Sequence, residues 1–236
     1  MTAVVAFVSQ KGGVGKSTLA RALATLAAET GISVRLADLD WKQQTAKHWA
    51  DVRAKSGIEP PVDCRVYETT SEALADAKDV ALLVIDQPGY ASGQTAELAR
   101  HADLIIEPTG PSIDDMRPGV LVLHELAQSG VSKDKLAVAL FRVATPAEEK
   151  RARAYMGEYG YKVLDGHLPE KVSLRQLQDE GHAVTETRHG TLRGPADTLM
   201  AAMLDKLKEC MSRAPERSKD ERQPVRARER ADDRSR

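Results

Sequence analysis

Residues 9–18 read Ser-Gln-Lys-Gly-Gly-Val-Gly-Lys-Ser-Thr and follow directly on an apolar run at residues 3–8. A strand, a glycine-rich bend, and Lys-Ser at the start of a helical pattern together predict a phosphate cradle. Glycine lets backbone N–H groups turn inward and approach anionic oxygens. The helix that follows adds the positive end of its dipole at the same place. In this reading Gly12, Gly13, Val14 and Gly15 form the cradle and Thr18 completes it. Lys16 reaches the β- and γ-phosphates, and the Ser17 hydroxyl is a ligand for Mg²⁺. The general spacing calls for glycine at position 10, where Gln10 stands; Gly12 compensates, next to a second lysine, Lys11. A phosphate loop needs one lysine, so Lys11 requires its own explanation.

Behind the loop, apolar runs alternate with segments of helical period. Candidate strands are Val4–Val8, Ser33–Ala37, Val80–Ile85, Leu104–Glu107 and Leu136–Leu140. Several lack polar alternation, as strands buried on both faces do. Leu19, Leu23 and Leu26 form a helical stripe that Gly31 closes. Ala46, Trp49 and Val52 form a second. Val120, Leu123 and either Leu126 or Ala127 form a third, with Pro118 expected in its first turn. The repeated alternation predicts an α/β protein: a three-layer P-loop NTPase fold with a mostly parallel central sheet and helices on both faces.

The chain has 236 residues and a net charge of −1, enough for one such domain with a full core and too balanced for a strongly basic nucleic-acid binder. Residues 1–211 are assigned to the phosphate-loop domain. Residues 212–236 form a charged tail whose only large apolar residue is Val225; it is expected to be disordered. Cys64 and Cys210 fit no metal or disulfide spacing and suit a reducing cytoplasm. No apolar stretch approaches a membrane span, and no cleavable leader is expected ahead of the first strand.

The stretch KGGVGKST resembles the deviant Walker A motif of the ParA and MinD group of P-loop ATPases, and the resemblance extends over nearly all of the part expected to fold. It implies ATP and Mg²⁺ as ligands, and a homodimer that sandwiches two nucleotides. Lys11 then reaches the partner's nucleotide and couples ATP occupancy to dimerisation. In VRLADLDWKQQ, Asp40 matches the residue that activates the attacking water. Asp38 matches a companion aspartate near the metal, although capping of the next helix explains it equally. The family's usual Pro-Gln after Asp40 is Trp41-Lys42 here. VALLVIDQPG resembles the Walker B strand, with Asp86 toward Mg²⁺ and Pro88-Gly89 as a switch turn. In ALFRV the family's Asn-Arg adenine contact appears as Phe141-Arg142, and Pro169 of the LPE segment stands at another position beside the base.

Among branches of this family, the tail lacks the amphipathic membrane helix of MinD-like proteins and the tyrosines of the related kinases. The cysteines do not suit iron–sulfur relatives. What remains resembles short ParA proteins without an N-terminal helix-turn-helix domain. That resemblance implies a cytoplasmic, nucleoid-associated ATPase for plasmid or DNA segregation. It would bind double-stranded DNA without sequence preference and hydrolyse ATP slowly until a ParB-like adaptor stimulates it. Lys171, Arg175, Arg188 and Arg193 are the candidate DNA contacts. The alternative is a nucleotide-switched scaffold that positions conjugation machinery or another cargo.

Overall fold

The computed structural model describes residues 1–89 and 92–213. From the N-terminus the elements are β1 (Ala3–Phe7), α1 (Lys16–Glu29), β2 (Val34–Asp38), α2 (Thr45–Lys55), β3 (Asp63–Val66), α3 (Thr70–Asp76), β4 (Leu82–Asp86), α4 (Ser92–His101) and β5 (Leu104–Thr109). They continue with α5 (Ile113–Gln128), β6 (Leu136–Val143), α6 (Pro146–Glu158), β7 (Lys162–Val163), β8 (Leu168–Pro169), α7 (Val172–Asp179) and α8 (Gly190–Arg213). Short 3₁₀ turns cover Ala77–Asp79, Lys133–Lys135 and Val184–Glu186.

All strand pairings are parallel, in the order β3-β2-β4-β1-β5-β6-β7, with β8 paired to β6. Period-two alternation splits the apolar residues between two faces. Val5, Phe7, Leu36, Leu82, Val84, Leu104 and Ile106 face a core shared with α1, α2, α7 and α8. Val4, Ala6, Ala37, Leu83, Ile85, Ile105 and Val138 face the opposite core, beneath α4, α5 and α6. The expected three-layer parallel architecture is therefore present. The chain crosses from one side of β1 to the other between β4 and β5, so the carboxyl end of β1 lies at the switch point where ligands collect in such sheets.

Pro118 is not in the first turn of its helix. Helix α5 begins at Ile113, where the Ser112 hydroxyl accepts from the Asp115 N–H, and Pro118 lies inside it. Proline has no N–H, so the carbonyl of Asp114, four residues earlier, lacks its helical donor. Lys11 Nζ supplies one at 3.2 Å. Among the described residues no helix is long and apolar enough to cross a membrane. Helix α8 runs through Arg213 and so takes in Ser212 and Arg213, the first two residues of the expected tail; the rest of that tail lies outside the described residues.

Candidate functional site

The phosphate loop leaves the sheet at the end of β1 and enters α1 at Lys16. Gly13 and Gly15 have φ of 74° and 103°, a region that glycine occupies without strain. Gly15 is the N-cap of α1, with no side-chain cap and no acid in the first turn. Helices α3, α5 and α6 are capped by Thr69, Ser112 and Thr145. The N-terminus of α1 therefore keeps its free N–H groups and positive dipole end available to an anion. Lys16 is buried, and its Nζ donates to the Lys11 carbonyl at 3.1 Å, across the loop. Burial lowers its pKa, opposed by the charges of Asp86, Glu107 and Asp40.

At the rim, Lys11 is half-exposed and its ammonium pairs with the Asp115 carboxylate of α5. Burial works to raise the Asp115 carboxyl, but hydrogen bonds from Lys11 and Ser112 outweigh it and hold the group below its ordinary value. The second lysine thus has a partner within its own chain, at the N-terminus of α5.

The three acids divide into different roles. Asp38 is fully buried at the end of β2. Its Oδ2 accepts from the N–H groups of Ala46 (2.8 Å) and Lys47 (3.1 Å), and its Oδ1 from Asp40 N–H (3.0 Å). It caps α2 from outside the helix and fixes the backbone at Asp40, although burial still raises its pKa. Asp40 Oδ1 accepts from Gln43 N–H at 3.1 Å, within an exposed turn that ends at Gln44 with φ of 50°. Asp86, beside Asp38 in the β2–β4 register, is buried at the end of β4. Burial pushes its carboxyl up to about 7, moderated by the neighbouring Ser17 hydroxyl, and its Oδ1 has no hydrogen-bond partner among the described residues. A hydroxyl and an orphaned carboxylate oxygen meeting at a phosphate loop suit Mg²⁺, which takes few protein oxygens and completes its shell with water and phosphate. The following turn borders the loop: a methyl group on Gly89 would lie 3.9 Å from Lys16 Nζ.

Phe141 and Arg142 bear on the loop itself. The Phe141 ring fills the space where a Gly15 side chain would be, with Cγ 2.6 Å from the position of a Cβ. Arg142 adopts φ of 58°, lies over the Phe141 ring at 5.4 Å, and donates from Nη2 to the Gly13 carbonyl at 2.7 Å. Pro169 is on β8, in register with Val143 just beyond this pair. The structure therefore gathers Lys11 to Thr18, Asp38, Asp40, Asp86, Arg142 and Pro169 at one edge of the sheet. Lys171 and Arg175 are exposed on and beside α7, and Arg188 and Arg193 are exposed around the start of α8, where Arg193 pairs with Asp197. Asp115, Ser9 and Glu107 escaped the sequence reading. An acid ending the apolar run of β5 was the available signal for Glu107.

The sequence matches the family described as the CobQ/CobB/MinD/ParA nucleotide binding domain over residues 5–184. It is 28% identical over 185 residues to Protein ParA of Rhizobium radiobacter, covering 74% of this chain and 81% of the relative. The fold resembles a putative plasmid partition protein of Borrelia burgdorferi solved with AMPPNP: TM-score 0.70, 16% identity, with 87% of this chain and 100% of that one covered. It also resembles the septum site-determining protein MinD of Pyrococcus horikoshii complexed with Mg-ADP: TM-score 0.69, 18% identity, covering 91% and 100%.

Proposed function

Since the chain belongs to the CobQ/CobB/MinD/ParA family of nucleotide-binding domains, we propose that it is a ParA-type partition ATPase, switched between monomer and dimer by ATP. The observation that carries this reading is the second lysine at the rim of an uncapped α1 N-terminus. Lys16 alone serves the cradle, whereas Lys11 is half-exposed and held by a surface carboxylate. A triphosphate between two protomers concentrates negative charge. A lysine that leaves Asp115 for the partner's phosphates neutralises that charge only in the dimer, so nucleotide and dimerisation stabilise each other.

Ser17 and Asp86 are the residues that would hold Mg²⁺, which offsets charge on the β- and γ-phosphates when bound. Asp40 is the candidate for orienting and deprotonating the attacking water. It lies in an exposed turn, which supports slow hydrolysis until an adaptor orders that turn. In this reading the dimer holds DNA through phosphate contacts from Lys171, Arg175, Arg188 and Arg193, and binding weakens steeply with salt. A ParB-like, DNA-bound partner then stimulates hydrolysis and releases the dimer. The plasmid partition neighbour and the ParA relative favour a DNA cargo over a positioning scaffold.

The test combines ATPase assays, with and without DNA and the adaptor, with sedimentation. Lys16→Ala should abolish nucleotide binding. Lys11→Ala should bind ATP yet sediment as a monomer. Asp40→Ala should lose about a hundredfold or more in stimulated turnover while accumulating ATP-bound dimer. Unchanged ATP-dependent dimers in Lys11→Ala would remove the cross-subunit role. Absence of hydrolysis with DNA and adaptor together would move the reading to a scaffold.

A further inference from the structure

Strand β5 carries a glutamate where the residues before it, Leu104, Ile105 and Ile106, are all buried and apolar. Glu107 is 1% exposed. The neighbouring Ser9 hydroxyl favours its charged form, and it lies within electrostatic reach of Lys16. Ser9 Oγ in turn accepts from the Lys11 N–H at 3.2 Å, and the Lys11 carbonyl holds Lys16 Nζ. A continuous chain of contacts therefore joins Glu107 to both lysines of the phosphate loop. Gly119 on α5 makes room for the side chain: a Cβ there would lie 3.1 Å from Glu107 Oε1. The other oxygen, Oε2, has no hydrogen-bond partner among the described residues. A fixed negative charge at this place would repel a triphosphate, so the position demands a reason.

Building on the nucleotide site proposed above, we infer that Glu107 is a proton-coupled positioning residue of the phosphate loop. In the empty site the ionised fraction of its carboxyl balances Lys16 beside Ser9; when a triphosphate arrives that fraction takes up a proton. The surroundings leave Lys16 as its charged partner. The loop presents Ser9, α1 presents Lys16, α5 presents a bare glycine, and the register neighbour on β6 is Val138. Burial pushes the carboxyl up to about 8, opposed by Ser9 and Lys16, so both forms are populated near physiological pH. A triphosphate adds negative charge and draws the Lys16 ammonium to itself, and both changes favour the neutral acid. The proton comes from solvent and goes to the Glu107 carboxylate. The resulting O–H can donate to Ser9 Oγ, which keeps the contact with the loop while the charge disappears.

Calorimetric titration of the full chain with Mg–AMPPNP at pH 8, in HEPES and in Tris, reads the protons exchanged from the difference in apparent heats. Wild type should take up as much as about 0.5 proton, the fraction ionised in the empty site. Glu107→Gln keeps shape and polarity; it should lose that uptake while binding at pH 7 within about threefold of wild type. Ser9→Ala, which removes a contact that favours the carboxylate, should take up less than wild type and bind more weakly. From pH 8 to 9 wild-type affinity should fall by up to about tenfold, and that of Glu107→Gln should fall less. Glu107 raises the Lys16 pKa, so any proton gained by Lys16 is no smaller in Glu107→Gln and cannot account for uptake confined to wild type. Tight binding with equal uptake in wild type and Glu107→Gln overturns the inference and leaves the site intact. Wild-type uptake below about 0.1 proton at pH 8 overturns it without reference to any variant. No nucleotide binding by wild type overturns the site and this inference together.

Discussion

Gly15 is held to glycine by two separate demands. Its φ of 103° is costly for any residue with a Cβ, and the Phe141 ring already occupies the space that a Cβ would need. Gly15→Ala should therefore lower ATP affinity by more than about tenfold and reduce stability by about 1–3 kcal/mol. Shrinking the ring in Gly15→Ala/Phe141→Ala should restore part of the loss, because only the steric share is relieved. A double-mutant cycle should give a coupling of about 0.5–3 kcal/mol, and strict additivity would show that the ring does not shape the loop. Lys16 and Ser17 were legible because their roles follow from spacing within one short motif. The partner of Lys11 was not, because Asp115 is 104 positions away. Only the fold brings the start of α5 to the loop, and only Pro118 leaves the Asp114 carbonyl open to an ammonium.

Helix α2 is fixed at both ends by residues it does not share with its apolar stripe. Asp38 accepts from its first N–H groups, and Arg53 secures its last turn. The Arg53 guanidinium is fully buried. It makes a bidentate pair with Glu186 (2.7 and 2.9 Å) and donates to the carbonyls of Glu59, Pro60 and Gly181. The arrangement positions the Asp40–Gln44 turn, which leads from β2 into this helix. Arg53→Met takes the guanidinium away from the largely buried Glu186 carboxylate and should cost about 3–5 kcal/mol, lowering Tm by about 10 °C. Glu186→Leu added to Arg53→Met should recover part of this, since no charge is then stranded. A double variant no more stable than Arg53→Met would show that the carbonyl contacts, not the ion pair, carry the effect. The sequence showed the stripe of α2 through Ala46 and Trp49, but not this anchor, which joins residues 133 positions apart. Strands followed the same rule. β1, β2, β4, β5 and β6 are apolar runs because both faces are buried, and they were legible. β3 alternates exposed Asp63 and Arg65 with buried Cys64 at a sheet edge, and β7 and β8 have two residues each, too short to carry a period.

Across the whole molecule, buried charge gathers at one edge. Asp38 closes β2, Asp86 closes the neighbouring β4, and Glu107 approaches the end of β5; β4 and β5 flank β1, and Lys16 rises from the loop that β1 feeds. The empty protein therefore buries more acid than base where a polyanion and a divalent cation would balance the count. That imbalance should appear in its stability. The Asp86 carboxyl is raised by burial from an ordinary value near 3.8 to about 7. The neutral form is favoured in the folded state. Its contribution is complete below the ordinary value and is lost as pH rises through the folded one. Between pH 5 and pH 8 the loss amounts to roughly 2–3 kcal/mol, or about 5–10 °C in Tm for a chain of this size. Asp86→Asn cannot ionise, so in the absence of ligand it should melt above wild type at pH 8 by several degrees more than at pH 5. With saturating Mg–AMPPNP the order should reverse, because the wild-type carboxylate then has a cation and the amide does not. Melting curves at both pH values, with and without ligand, decide it. A gap between the two proteins that ignores pH would mean that Asp86 is ionised throughout, already compensated by Ser17 and Lys16.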